Sequence, residues 1–310
     1  IPKSTRLIVM GAADDAALHW CIENEVEFYV FNFERLHAAI SLAKQNKKKA
    51  RIHIEIETGM FRTGFTENEI HELIEILSKH LSDIDFVGLC THFAGAELNA
   101  NLPRVKNQSE QFMKVKRMFS ESFLESEITH ACCSAAMMKL ENMHFDLVRI
   151  GILQYGYWPS REMEIEYKAL HPKFPNPLRR IIEWKSKVMS INKVPKGSWI
   201  GYGESFAAQH DMTIAVVPVG YAHGYARSLS NIGQVLIGAH KVPVLGMVNM
   251  NCISVDVTLL PALSVGDEVV LIGKQGNEEI SVASFSERSE QLNYELLTRL
   301  PASIPRTIAK

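Results

Sequence analysis

The chain has 310 residues, of which 46% are apolar, and its 33 basic residues nearly balance its 35 acidic ones, leaving a net charge of -2. This length allows a large buried core and two domains. The balanced charge excludes the broad basic surface that attracts nucleic acids or anionic membranes, so we expect neither as a partner.

The longest apolar runs, such as residues 214–219, are far shorter than the roughly 20 residues of a membrane-spanning helix. No signal-peptide pattern opens the sequence, and we therefore expect a cytoplasmic protein. The five cysteines are odd in number and lack the spacing of metal ligands. They predict reduced, mostly buried thiols and no metal site.

The first half alternates short β-branched runs with amphipathic stretches, which predicts a parallel sheet built from βα units. Its apolar runs are continuous, so both faces of the sheet are expected to be covered, as in a barrel or a doubly wound sheet. Six strands are predicted, at residues 6–10, 27–31, 51–56, 86–91, 128–132 and 147–155.

Two helices between these strands have recognisable patterns. Thr66 and Glu69 form a capping-box pattern at the start of the first helix. Spacing of three and four residues marks one buried face on each helix. These faces comprise Ile70, Leu73, Ile74 and Leu77 in the first helix, and Val105, Phe112, Val115 and Phe119 in the second.

A proline-containing segment at residues 157–178 marks a boundary between two domains, which we place at residues 1–172 and 178–310. Beyond it, strands follow one another without long helices, which predicts a mainly antiparallel β domain. The predicted strands lie at residues 184–191, 213–219, 234–237, 241–244, 253–257 and 268–272, before a last helix at 281–300.

Arg62 and His92 both follow predicted strands, where the reactive groups of a parallel barrel gather. Arg62 lies in a turn between Gly59 and Gly64, which let backbone approach a ligand closely. Each residue also has an ordinary interpretation, Arg62 as a solvated surface charge and His92 as a hydrogen-bonded structural histidine.

Ser134 lies between a predicted strand and a short helix, where free backbone amides favour a phosphate. The same hydroxyl could equally be a helix N-cap. Arg149 interrupts an apolar strand, and a charge placed there needs a partner or a ligand. Gly151 follows it and leaves room for backbone to contact a phosphate.

In this order and spacing, the motifs resemble those of the alanine racemases, and the resemblance spans nearly the whole chain. Its segments are ETGMFRTGF (57–65), THFA (91–94), CSAA (133–136), VRIGI (148–152), GYG (201–203), PVGYA (218–222), GMVNMN (246–251) and VGDEVVLIG (265–273). The resemblance implies an α/β fold with a (β/α)8 TIM-type barrel followed by a mainly antiparallel β domain. It also implies pyridoxal 5'-phosphate as cofactor.

By this resemblance, Ser134 and the backbone of Gly151 and Ile152 are expected to hold the cofactor phosphate. Arg149 is expected to face the pyridine nitrogen, and His92 to orient Arg149. An arginine keeps its proton, so the ring nitrogen beside it should stay unprotonated and the ring should be a weaker electron sink.

The resemblance further implies that Arg62 reaches the phenolic oxygen of the cofactor and the substrate carboxylate, which the Met250 amide also binds. Tyr202 is expected to be one of two bases, entering the site of a second subunit, so that a homodimer is required. Tyr221 is expected to line the substrate entrance. The implied activity is racemisation of L- and D-alanine, which supplies D-alanine for cell-wall peptidoglycan.

The second base of the family, the Schiff-base lysine of the first barrel strand, has no counterpart here, and the surroundings of Lys3 do not match it. The strand at residues 6–10 corresponds to the third of eight. Two βα units, on the order of 60 residues, are therefore expected to be missing. We interpret the sequence as a truncated, cleaved or incompletely represented chain.

Smaller departures concern single positions. Glu55 occupies the place of a carbamylated lysine in many family members, and its carboxylate could supply that negative charge directly. Asn251 and His223 each replace an aspartate, and Ile308 replaces a C-terminal tyrosine, so preference for alanine is less secure than the reaction class.

Four alternatives were considered. The chain could be a catalytically inactive alanine racemase-like fragment or pseudoenzyme, or a racemase of another small amino acid. The β domain argues against a single-domain protein of pyridoxal-phosphate homeostasis. The segments around Tyr202 and Met250 favour racemisation over decarboxylation.

Overall fold

A computed structural model describes residues 5–282, 285 and 293–308 of the chain. The chain divides into two compact units, Ile1–Arg179 and Arg180–Lys310. Among the helices described, none has both the length and the apolar character needed to cross a bilayer.

The first unit contains a five-stranded parallel sheet whose strands follow one another in chain order. Helices connect most of them, as the alternating sequence pattern predicts. The strands are β1 (Ile8–Val9), β2 (Glu27–Val30), β3 (Ala50–Glu55), β4 (Ile84–Cys90) and β5 (Ile128–His130). The helices are α1 (Asp15–Glu23), α2 (Phe33–Asn46), α3 (Ile70–Lys79), α4 (Leu102–Glu121), α5 (Ser134–Lys139) and α6 (Arg161–Leu170).

This sheet is a parallel half-barrel, and a complete eight-stranded barrel is not confirmed. The prediction of a sixth strand at residues 147–155 was wrong in its extent. Only Arg149 pairs in parallel, with Cys133, before residues Ile152–Tyr155 form a 3-10 turn. Pairing stops because Gly151, at φ -103° and ψ -94°, leaves the extended region and gives its amide to a side chain.

The two helices predicted from apolar spacing are confirmed. The backbone amide of Thr66 donates to the Glu69 carboxylate at 2.7 Å, as in a capping box. The apolar residues predicted for the faces of α3 and α4 are buried, except Ile74, which is partly buried. They cover one side of the sheet, and the polar residues at alternate positions of β2 and β3 lie on the other.

The second unit is an antiparallel sheet with the strand order β13-β12-β9-β10-β11-β8-β7, to which β6 adds by pairing with β12. Its strands are β6 (Trp184–Lys187), β7 (Ser190–Val194), β8 (Met212–Val217), β9 (Gln234–Ile237), β10 (His240–Leu245), β11 (Ile253–Asp256), β12 (Glu268–Gln275) and β13 (Glu278–Ile280).

The sequence pattern merged β6 and β7 into one strand and did not reveal β13. The merged strand is two because its halves pair with different partners, β12 and β8. Helix α7 (Asn293–Arg299) lies within the predicted helix at 281–300, whose middle part falls outside the described residues.

Candidate active site

Arg149 is held by three acceptors in the first unit. Its Nη2 donates to the carbonyl oxygens of Thr91 and Ala131, both at 2.8 Å, and its Nη1 hydrogen bonds with Nδ1 of His130. The bridge with Cys133 brings Arg149 beside the end of β5, where His130 is the last residue. The charge inside an apolar run therefore has the partners that its position requires.

A chain of hydrogen bonds continues from His130 across the sheet. Its Nε2 lies 2.9 Å from Nδ1 of His53, and His53 Nε2 lies 2.9 Å from Glu27 Oε2. The other oxygen of Glu27 accepts from Arg6 Nε and Arg51 Nη2, each at 2.8 Å. We call the sequence Arg149, His130, His53, Glu27 the imidazole relay.

His130, His53 and Glu27 are buried, and their ionisation follows from burial and from their neighbours. Burial and the nearby Arg149 lower the pKa of His130 to about 2, and burial also lowers the pKa of His53. Burial alone would raise the pKa of Glu27, but hydrogen bonds from Arg6, His53 and Arg51 lower it to about 2. At neutral pH two neutral rings therefore lie between an arginine and a carboxylate.

His92 was expected to orient Arg149; among the contacts of the described residues, the imidazole that hydrogen bonds with Arg149 is that of His130. His92 follows Thr91, whose carbonyl oxygen accepts from Arg149. Burial, Arg149 and Arg62 lower the pKa of His92 to about 4. His92 is thus a neutral imidazole in the positive field of two arginines.

Arg62 lies in an exposed loop that a carboxylate closes. Glu57 accepts hydrogen bonds from the backbone amides of Gly59, Met60 (2.7 Å) and Arg62 (3.3 Å), and these bonds lower its pKa despite burial. A Cβ at Gly64 would lie 2.5 Å from the Glu57 nitrogen, so only glycine allows the two ends of the loop to meet. The loop is therefore preorganised around Arg62.

Glu55 is buried beneath this loop and accepts a hydrogen bond from Thr63 Oγ1 at 2.7 Å. Burial raises its pKa, and Thr63, Arg62 and Arg149 oppose that rise. Both arginines of the site therefore act on this carboxylate electrostatically, and its charge depends on them.

Ser134 begins α5 and is buried, with 2% of its surface exposed. Its hydroxyl accepts a hydrogen bond from the Gly151 amide at 2.8 Å, and Cys133 holds the N-cap position. Ile152 begins the 3-10 turn with its side chain buried, so the backbone is the part it offers to a ligand. This arrangement can bind a phosphate through a hydroxyl and backbone amides.

In the second unit, Met250 belongs to a loop, residues 246–251, which the segments carrying Tyr202 and Tyr221 adjoin. The amide of Tyr221 donates to Asn249 O at 3.0 Å, and a Cβ at Gly220 would lie 2.2 Å from the same oxygen. Glycine at 220 is therefore what lets the Tyr221 segment approach the loop.

Tyr202 is 74% exposed between Gly201 and Gly203, whose φ values of 76° and 73° are left-handed. Gly201 lies beside the start of the same loop, 3.7 Å from the Met247 nitrogen when a Cβ is placed on it. Met250 is 60% exposed. The segments of two tyrosines thus adjoin the loop that carries Met250.

The structure brings together Ser134, Arg149 and Gly151. Arg62 acts on the same site through its positive charge, and His92 contributes a neutral ring. Sequence reasoning missed His130, His53 and Glu27. The signal was present, because each is a buried polar residue within or at the end of an apolar strand. No group of three or more potential metal ligands occurs among the described residues.

Comparison with known proteins covers both units. Residues 2–159 match the family "Alanine racemase, N-terminal domain", and residues 181–308 match "Alanine racemase, C-terminal domain". The alanine racemase of Halothermothrix orenii is 37% identical over 276 residues, which are 88% of this chain and 70% of that protein.

Two solved structures are similar. The alanine racemase from Bacillus anthracis, with bound L-Ala-P, has a TM-score of 0.86 at 29% identity, covering 96% of this chain and 74% of its own. The alanine racemase from Bartonella henselae, with covalently bound pyridoxal phosphate, shares the fold with a TM-score of 0.79 at 24% identity, covering 97% of this chain and 78% of its own.

Proposed function

The chain belongs to the alanine racemase family of isomerases, and from that premise we propose that it interconverts L-alanine and D-alanine with pyridoxal 5'-phosphate as cofactor. The observation that best supports this is Arg149, fixed by three acceptors beside the Ser134 and Gly151 pair.

The residues present fit this cofactor by their chemistry. Pyridoxal phosphate carries a phosphate, a phenolic oxygen and a pyridine nitrogen. Ser134 and the amides near Gly151 and Ile152 suit the phosphate. The two arginines suit the phenolic oxygen and the pyridine nitrogen as hydrogen-bond donors. The arginines also lower the pKa of His92, which indicates a local positive field suited to an anionic ligand.

Each residue then has a defined task. Ser134, with the backbone of Gly151 and Ile152, binds the phosphate. Arg149 donates to the pyridine nitrogen and keeps its own proton. When bound, the cofactor withdraws electrons from the α-carbon of the amino acid and makes its proton removable.

Arg62 binds the substrate carboxylate together with the Met250 amide, and its closed loop reduces the ordering that binding requires. Neutral His92 adds no further positive charge between the two arginines. Tyr221 borders the path of the substrate.

Tyr202 exchanges a proton at its Oη with one face of the α-carbon. We place it in the site of a second copy, so that the active form is a homodimer. The second base is assigned to no residue. A cytoplasmic supply of D-alanine for peptidoglycan is the corresponding role.

One experiment tests this function. Purified chain is incubated with pyridoxal phosphate and L-alanine; visible absorbance of bound cofactor and formation of D-alanine are measured. Arg149→Gln is expected to change the spectrum and to suppress D-alanine formation. Cofactor binding without D-alanine, at any alanine concentration, would contradict the proposal. L-Serine in a parallel assay measures preference among small amino acids.

A further inference from the structure

We propose that Glu27 is a positioning residue for Arg149, acting through His53 and His130. The inference rests on the proposed function, because it concerns the arginine assigned there to the pyridine nitrogen. Glu27 is the first residue of β2, three hydrogen bonds away from Arg149.

The two ends of the imidazole relay permit only one direction of hydrogen bonding. A guanidinium can only donate, and an ionised carboxylate can only accept. His130 must therefore accept at Nδ1 and donate from Nε2, and His53 must do the same. Both rings are neutral with the proton on Nε2, in agreement with the lowered pKa values of both histidines.

The two oxygens of Glu27 have separate tasks. Oε1 accepts from Arg6 and Arg51, while Oε2 accepts from His53. The carboxylate is 2% exposed, and a buried charge of this kind is tolerated only when its partners are complete. The arginines keep Glu27 ionised and orient it, which leaves one oxygen directed at His53.

The backbone at Gly88 leaves space for the hydrogen bond between His53 and His130. A Cβ at Gly88 on β4 would lie 2.0 Å from Nδ1 of His53, the atom that accepts from His130. The pairing of β3 with β4 also shifts register between Ile52 and His53. Tyr29 packs against both rings, with its centroid 6.0 Å from each. The rings are thus confined on several sides in one orientation.

The relay fixes the third acceptor of Arg149, which is Nδ1 of His130. Thr91 and Ala131 hold Nη2 through carbonyl oxygens, and among the described residues His130 is the partner of Nη1. If the relay reversed, an N–H of His130 would face an N–H of Arg149, and the guanidinium would lose its fixed plane. A carboxylate on β2 thereby controls an arginine beside β5.

The variant Glu27→Gln tests this directly. It leaves one oxygen for three donors, so the amide either abandons both arginines or presents its NH2 group to His53 and favours the reversed tautomer. Glu127→Gln is the matched control, because Glu127 also accepts from Arg6, at 2.8 Å, but has no contact with the relay.

The first readout is independent of cofactor and activity. In the full chain labelled with 15N-histidine, wild type and Glu127→Gln should show His130 and His53 protonated at Nε2 only. Glu27→Gln should show protonation at Nδ1 of His130. Should Glu27→Gln fail to fold, His53→Leu cuts the same link: Arg149 still keeps Nδ1 of His130 as an acceptor, but the Nε2–H loses its partner, and the 15N signal of that nitrogen should shift from its wild-type position.

The second readout is kinetic. With cofactor, Glu27→Gln should lower kcat about ten-fold and leave KM within about two-fold, because a misplaced Arg149 affects the reacting state and not substrate capture. Nδ1-protonated His130 in wild type, or His130 signals and kcat that are unchanged in Glu27→Gln or, where that variant does not fold, in His53→Leu, overturns the inference. A wild type that forms no D-alanine but has the expected tautomers rejects the proposed function and keeps the relay direction.

Discussion

Gly88 and His53 occupy adjoining strands so closely that a single methyl group at Gly88 would overlap the imidazole, at 2.0 Å from Nδ1. The ring has no exposed surface into which it could retreat. The absence of a side chain at one position of β4 therefore sets the place of a buried histidine on β3.

We predict that Gly88→Ala lowers the free energy of unfolding by roughly 1–3 kcal/mol, as overpacking of a core does. Urea denaturation of the full chain measures the change. Gly11→Ala is the control, since a Cβ there has no atom within 4 Å and should cost little. Equal stability of the two variants would show that His53 can move aside freely.

Glu55→Gln should change how stability depends on pH. The folded-state pKa of Glu55 is raised by burial, so its contribution is present below the ordinary value of 4.5 and is lost as pH rises through the folded pKa. The stability of the variant relative to wild type should therefore increase with pH across this interval. Glu72→Gln, at an exposed position of α3, is the control for loss of a surface carboxylate.

The same variant tests whether the Glu55 charge supports Arg62. If it does, Glu55→Gln raises the KM for alanine more than it lowers kcat. Unchanged cofactor binding together with unchanged kinetics would refute that role.

Ser134→Ala should leave the Gly151 amide without its acceptor and cost about 1–3 kcal/mol of stability. It should also weaken binding of pyridoxal phosphate, measured by titration of the visible absorbance. Ser122→Ala on the exposed end of α4 removes a comparable hydroxyl and serves as control. Cofactor affinity equal to wild type would argue against a phosphate at Ser134.

Tyr202→Phe should lower kcat by about 10²–10⁴-fold, the usual contribution of a general acid or base. Because the ring is 74% exposed, stability should stay within about 0.5 kcal/mol of wild type. Tyr294→Phe removes the hydroxyl of another exposed tyrosine and should retain activity. Substantial turnover by Tyr202→Phe would exclude its hydroxyl as the base.

The βα order of the first unit could be predicted because its strands are apolar runs separated by helical patterns. Arg149 was also predictable, since a charge in such a run needs a partner. The histidine that hydrogen bonds with Arg149 could not be predicted from the sequence. The choice between His92 and His130 depends on the bridge between Arg149 and Cys133, and thus on strand register.

In the second unit, too, part of the structure could not be predicted from the sequence. The division of residues 184–191 into β6 and β7 depends on pairing with distant strands, which local residue preferences do not encode. The loop at residues 246–251 could be matched to a family motif, but its position between Tyr202 and Tyr221 became apparent only in three dimensions.

The loop at residues 246–251 affects how the substrate preference of this protein can evolve. It carries the proposed carboxylate ligand, and the segments of the proposed base and the proposed entrance residue adjoin it. An insertion or deletion there would alter substrate choice and turnover in one event. Variation in selectivity is therefore more accessible through single side chains, such as Asn251, than through changes in loop length.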